Sequence, residues 1–183
     1  MKSEKAEFQT LNDLLIDELR DLYDAERQLI KAIPKMAKAA ESDELRSALE
    51  EHLMVTQNQV ERLEQIFGNL DQKPTGKKCA AMHGLIEEGQ EAVSAKGDRN
   101  VRDAAIIGAA QKVEHYEIAS YGTARTHAET LGQAETAKLL QQTLDEEGEA
   151  DKKLTQLAES LINQQAAESA GGSAGRSRKG GSK

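Results

Sequence analysis

The sequence predicts an all-α fold, a four-helix bundle with an additional short helix in the crossover between its two helix pairs. Three observations predict it. The 183 residues are rich in Ala, Leu, Glu, Gln and Lys, with no Trp, two Phe and two Pro, and such residues favour helix over sheet. Apolar residues recur every third or fourth position over long stretches, the spacing of a helix that buries one face. The chain also repeats itself weakly at an offset of 91 positions, the separation of Glu26 and Glu117.

The first helix is expected over about residues 8–40, with the seam Leu15, Leu19, Leu22, Glu26, Leu29, Ile33 and Met36. Pro34 should bend it, because proline supplies no N–H to the preceding turn. Glu41-Ser42-Asp43-Glu44 reads as a cap and acidic first turn for a second helix ending near Gly68-Asn69. A loop with Pro74 and Gly76 leads to a shorter helix over about residues 78–95. Gly97-Asp98-Arg99-Asn100 breaks the chain, and Asn100 is the expected cap of a long third core helix reaching Leu131. Gly132 stops it, and the last helix is expected over about residues 133–163. These make one helical domain, residues 1–163. Residues 164–183 read as a disordered Gly/Ser/basic tail with nothing to bury.

The repeat places Glu26 on Glu117, Leu49 on Leu140, Leu53 on Leu144 and Leu63 on Leu154 without a gap. Leucines alone can match by chance. A glutamate match held across a helix-turn-helix points instead to duplication, and two duplicated helix pairs make a four-helix bundle.

Glu26 and Glu117 stand where the seams require leucines. The third seam reads Ala110, Glu114, Glu117, Tyr121, Ala124 and Ala128; the last reads Leu140, Leu144, Glu147, Asp151, Leu154 and Ala158. The core-facing acids are therefore Glu26, Glu114, Glu117, Glu147 and Asp151. Buried together as bare anions they would repel strongly, and a carboxylate is costly to bury unless paired, protonated or metal-bound. A divalent cation such as iron, manganese or magnesium suits carboxylate oxygens and resolves the conflict. The competing reading is a network satisfied by Arg, His, Tyr or water. Gly122 and Gly148, beside the acids, either permit close helix approach or are tolerated surface residues.

A di-metal carboxylate bundle takes one Glu from each of two helices and a Glu-x-x-His from each of the other two. Glu26 and Glu117 fill the first role. The second is filled badly: Glu149 and Ala150 stand three residues after Glu146 and Glu147. The second helix offers only His52, Thr56 and Gln59 on its seam.

The runs DLYDAERQL (Asp21 to Leu29), KKCAAMHGLIEEG (Lys77 to Gly89), AAQKVEHYEIASYGT (Ala109 to Thr123) and LDEEGEADKKL (Leu144 to Leu154) closely resemble the YciE/YciF stress-protein family. The resemblance covers residues 11–162. It implies a ferritin-like bundle, a homodimer, and ferroxidase or peroxide and oxygen chemistry at an iron or manganese site, mononuclear or dinuclear. Carried onto this chain, Glu26 and Glu117 become single ligands and Glu147 a bridging or terminal one, with Glu114 and Asp151 in support. The chain departs from similar proteins at Met54 and Val55, where acids usually precede the threonine of the second helix. One metal, a weak site and no metal all stay open at this point, as does a non-catalytic helical stress protein.

Other residues have plainer readings. His52 is expected to bond a core neighbour and Gln59 to orient other groups. Tyr23 and Tyr121 flank the acids and are expected to pack with their hydroxyls tied down. His115 suits helix packing, and Cys79 structural burial. A formal charge of −8 argues against a nucleic-acid surface on the folded body; the tail, with Arg176, Arg178, Lys179 and Lys183, offers at most weak contact. No phosphate loop, catalytic triad or zinc spacing is visible. No small organic cofactor is expected. With no signal-peptide pattern, no bilayer-spanning run and a single cysteine, the expected location is the cytoplasm, away from membranes.

Overall fold

The structure, a computed structural model, describes residues 8–174, with side chains through residue 168. Helices α1 (Leu11–Ala39), α2 (Asp43–Asn69), α3 (Ala80–Ser94), α4 (Arg99–Thr130) and α5 (Ala134–Leu157) follow one another. A π-helical turn (Ala158–Ile162) then joins α5 to α6 (Asn163–Ala174). No strand occurs among the described residues. Helices α1 and α2 form one antiparallel pair and α4 and α5 the other, with α3 in the connection between them. This is the predicted four-helix bundle with its extra helix.

Local chemistry sets the helix ends. Thr10 caps α1 in a reciprocal box: its Oγ1 accepts from Asp13 N at 3.1 Å while Asp13 Oδ2 accepts from Thr10 N at 2.9 Å. Ser42 caps α2 by accepting from Leu45 N at 3.2 Å. The cap of α4 is Asp98 rather than Asn100, since its Oδ1 accepts from both Asn100 N and Val101 N. A carboxylate there also favours the positive end of the helix dipole. Gly132, with φ of +72°, turns the chain from α4 into α5 in a region that L side chains rarely adopt.

The chain stays helical past the expected end near residue 163. Gln164, Ala166, Ala167 and Glu168 continue it well enough, and α6 packs on α4. The expected basic tail residues Arg176, Arg178, Lys179 and Lys183 lie outside the described residues.

Two apolar clusters fill the bundle. One joins Leu29, Ile33, Leu45, Leu49, Ile106, Ala110, Val113 and Leu154. The other joins Leu15, Leu19, Leu22, Leu63, Phe67, Tyr121, Ala124 and Leu140. Read along each helix, a polar layer separates them: Glu26 on α1, Thr56 and Gln59 on α2, Glu114 and Glu117 on α4, and Glu147 on α5, all buried. At one end Asp103 accepts from Glu41 N at 2.9 Å and Ser42 N at 2.8 Å, tying the α1–α2 corner to α4. Neither seam glycine is required by packing. A Cβ on Gly122 would meet Leu144 at 4.0 Å, and one on Gly148 would meet nothing within 4 Å.

Candidate functional site

Helical spacing brings the acids together. Glu114 and Glu117 are one turn apart on one face of α4, and Glu147 and Glu26 face them from α5 and α1. One ligand atom from each of His52, Glu114, Glu117 and Glu147 lies within 4.8 Å of the others. His52 Nε2 is 3.5 Å from Glu114 Oε1 and 3.8 Å from Glu147 Oε2. Glu26, fully buried, holds the far side of the layer, its Oε1 accepting from the Tyr121 hydroxyl at 2.5 Å. Gln59 donates from Nε2 to Glu147 Oε1, and also to Glu146 Oε2 at 3.2 Å.

These bonds leave much of the layer unsatisfied. Five carboxylate oxygens have no hydrogen-bond partner: Oε2 of Glu26, Glu114 and Glu147, and both oxygens of Glu117. Buried oxygens of this kind are rare in folded proteins and point to a missing partner. Burial, then the neighbouring Glu147, pushes the Glu26 carboxyl up to about 8, against the opposing bond from Tyr121. Burial also raises Glu114 and Glu117 well above the ordinary carboxylate range, with Glu147 adding to the first and Glu26 to the second. Desolvation lowers His52, although Glu147 pulls it the other way, so the imidazole is held in the neutral form that binds metals. Three carboxylates and one imidazole are a donor set suited to iron or manganese. The residues fit a cation.

A cleft of about 370 Å³ reaches this layer from the surface between α2 and α5. Ala48, Leu49, Val55, Ala150 and Leu154 supply its apolar lining, and His52 and Glu114 of the cluster line it too.

The family model described as a domain of unknown function, DUF892, matches residues 10–167. Protein YciF of Escherichia coli K12 is 48% identical over 158 residues, covering 86% of this chain and 95% of that protein. The chain belongs to the YciF stress-protein family. The crystal structure of the E. coli stress protein YciF superposes with a TM-score of 0.82, covering 85% of this chain and 99% of that one. YcfI from Rhodopseudomonas palustris superposes with a TM-score of 0.80 at 46% identity, over 84% of this chain and 98% of that one. A Xanthomonas campestris protein at 22% identity and a TM-score of 0.68 shares the fold, over 87% of this chain and 99% of that one.

Against that background this YciF-family chain distributes the expected residues unevenly. Glu26, Glu114, Glu117 and Glu147 share the layer. Asp151 stands apart on α5, where its Oδ1 accepts from Gln111 at 3.0 Å and lies 3.4 Å from His115 Nε2. His52 does more than bond a core neighbour, because it faces two of the glutamates. Met54 and Val55 also separate: Val55 lines the cleft, whereas Met54 is 59% exposed on another face of α2. Only Val55 therefore bears on the site. Tyr23 turns away to donate to Glu64 Oε1 at 2.7 Å. Cys79 is buried and caps α3, and burial raises its thiol above the ordinary value.

One supporting group was not picked out from the sequence. Arg62 bonds both oxygens of Glu146 at 2.8 and 2.9 Å and reaches Thr143 Oγ1 at 2.6 Å. Its guanidinium outweighs burial and holds the Glu146 carboxyl below its ordinary value. Glu146 in turn accepts from Gln59, whose other bond goes to Glu147. The heptad position of Arg62, one residue before the seam leucine Leu63, was the available clue.

Proposed function

We propose that this chain is a stress-associated ferritin-like protein that binds iron or manganese between its helices, as one ion or a pair. Glu26, Glu114, Glu117, Glu147 and His52 would hold the metal, and Asp151 would support Glu114 from outside. The five carboxylate oxygens without a donor carry this reading, since a cation would satisfy them at once, whereas the Glu26–Glu117 and Glu114–Glu147 approaches need protons held between acids. A ferrous or manganous ion, if held there, would supply electrons to dioxygen or peroxide, which is ferroxidase or peroxide-consuming chemistry. The protein's own part is to orient the ligands and to close the two ends of the layer to solvent. Gln59 and the Arg62–Glu146 pair fix the Glu147 carboxylate, Tyr121 fixes Glu26, and the two apolar clusters keep solvent from both sides. The chain would act as a homodimer in the cytoplasm.

The competing reading is a metal-free network in a non-catalytic stress protein. The Tyr121–Glu26 and Gln59–Glu147 bonds favour it, as do carboxyls raised enough to keep protons. Metal analysis after growth or dialysis with Mn²⁺ or Fe²⁺ separates the two. Stoichiometric metal, lost on Glu117→Ala, is expected. Purified protein that takes up no metal and oxidises Fe²⁺ no faster than buffer would establish the network instead.

A further inference from the structure

We infer that the α2–α5 cleft is a binding pocket for a small organic molecule with an apolar body and a hydrogen-bond-donating head, an alcohol or an amine. The inference goes beyond the metal reading and concerns the metal-free chain, since the oxygens that would take the head group are among those that a metal would claim. Two positions make the space. Ala150 stands three residues after Glu147, where a di-metal bundle would place a histidine, and Val55 faces it from α2 one turn after His52. Small apolar side chains at both positions leave room beside the carboxylate layer where ligand side chains would otherwise reach.

The walls argue for an organic occupant and against a path for ions. Ala48, Leu49, Val55, Ala150 and Leu154 offer a hydrated cation nothing in exchange for its water. Three of the acids at the rim pair with cations, Glu146 with Arg62, Glu51 with Lys153 and Glu149 with Lys152 at 2.7 Å, and Asp145 accepts from the Gln141 amide at 2.7 Å. They do not form a bare anionic funnel. A cleft of about 370 Å³ lies at the small end of the roughly 300–1,000 Å³ range of small-molecule pockets. Concave, mostly apolar pockets with one or two convergent polar groups are what small-molecule sites look like.

The head group follows from the polar end. Glu114 is 3% exposed, lines the cleft, and has an Oε2 without a partner. Glu147 stands behind it with a second such oxygen, 3.8 Å from the His52 imidazole that also lines the cleft. A carboxyl oxygen accepts a hydroxyl or ammonium, whereas a carboxylate head would lose its water among apolar walls, with Lys153 already paired to Glu51.

The test is an amide-proton NMR titration of the metal-free full chain with 1-hexanol, hexylamine and hexanoate. Saturable shifts confined to residues 48–56 and 145–154 are expected for the alcohol or the amine, with hexanoate at least about ten-fold weaker. Ala150→Phe, which fills the cleft, should abolish those shifts while leaving the rest of the spectrum in place. Should Ala150→Phe not fold, Val55→Phe serves the same purpose from the opposite wall. Shifts that are scattered, non-saturating, unchanged in the filled variant or as strong with hexanoate would overturn the pocket. The same samples titrated with Mn²⁺ report the metal reading separately.

Discussion

The α1/α4 wall and the α2/α5 wall of the polar layer are related by the offset of 91 positions and differ in chemistry. On the first wall Glu26 and Glu117 occupy corresponding positions and both are buried, while Glu114 stands opposite Tyr23 in the repeat. On the second, Glu147 corresponds to Thr56 and Ala150 to Gln59 at the same offset of 91. One wall carries three carboxylates, Glu26, Glu114 and Glu117; the other carries one, Glu147, with an amide bonded to it. Yet Thr56 and Gln59 are as buried as the glutamates, so the second wall has not become surface. It has exchanged charge for hydrogen bonds on α2 and for open apolar space on α5. The difference is that the second wall carries a single carboxylate, and Gln59 with the Arg62–Glu146 pair holds it in place.

The largest effect comes from breaking the intact wall. Glu117→Leu should abolish stoichiometric Mn²⁺ binding, read by equilibrium dialysis. It should also raise the melting temperature of the metal-free protein at pH 8, because an unsatisfied buried acid is replaced by an apolar group. A metal-free variant that melts lower would mean that Glu117 is satisfied in a way the geometry does not show.

Acidity offers the next largest effect. A buried acid whose folded value is raised contributes stability that is full below its unfolded value and is lost as pH rises through the folded one. For Glu26 that window runs from the ordinary 4.5 to about 8, and Glu114 and Glu117 shift in the same direction. His52, lowered from 6.5, works oppositely but only below that value. Between about pH 6.5 and 8 the acids act alone. The metal-free protein should therefore lose melting temperature over that interval, and saturating Mn²⁺ should remove the loss. A flat or rising profile without metal would remove the electrostatic strain from the account.

How much of this was legible in the sequence differs by kind of signal. Periodicity revealed Glu26, Glu117 and Glu147, because an acid inside a leucine seam violates a local rule that needs no tertiary knowledge. The four-helix plan followed from the repeat. Groups defined by contacts between distant segments were not legible. Arg62 meets Glu146 across 84 positions, and Asp103 caps the α1–α2 corner across 62. His52 looked like an ordinary core histidine until Glu114 stood opposite it. Neighbours in sequence also misled: Met54 and Val55 read as one altered site, although adjacent residues on a helix point about 100° apart and only Val55 faces the cleft. At the α4 start, Asp98 and Asn100 are both good caps, and only the path of the chain decided between them.

Two smaller effects probe the altered wall. Arg62→Ala leaves Glu146 and Thr143 without their partner and should cost about 1.5–3 kcal/mol, the range of a charge-assisted hydrogen bond, measured by urea denaturation. A loss below about 0.5 kcal/mol would make the pair a surface contact. Val55→Glu places a carboxylate beside His52 and Glu114 and brings the second wall closer to the first. It should tighten Mn²⁺ about ten-fold, or roughly 1.4 kcal/mol, while lowering metal-free stability at pH 8. Unchanged affinity would show that Val55 does not limit the site.

Anomalous scattering from crystals grown with Mn²⁺ addresses the central claim most directly. The account predicts a strong peak, or a pair, enclosed by Glu26, Glu114, Glu117, Glu147 and His52. Peaks confined to surface carboxylates, with the buried layer unchanged at saturating Mn²⁺, would contradict it.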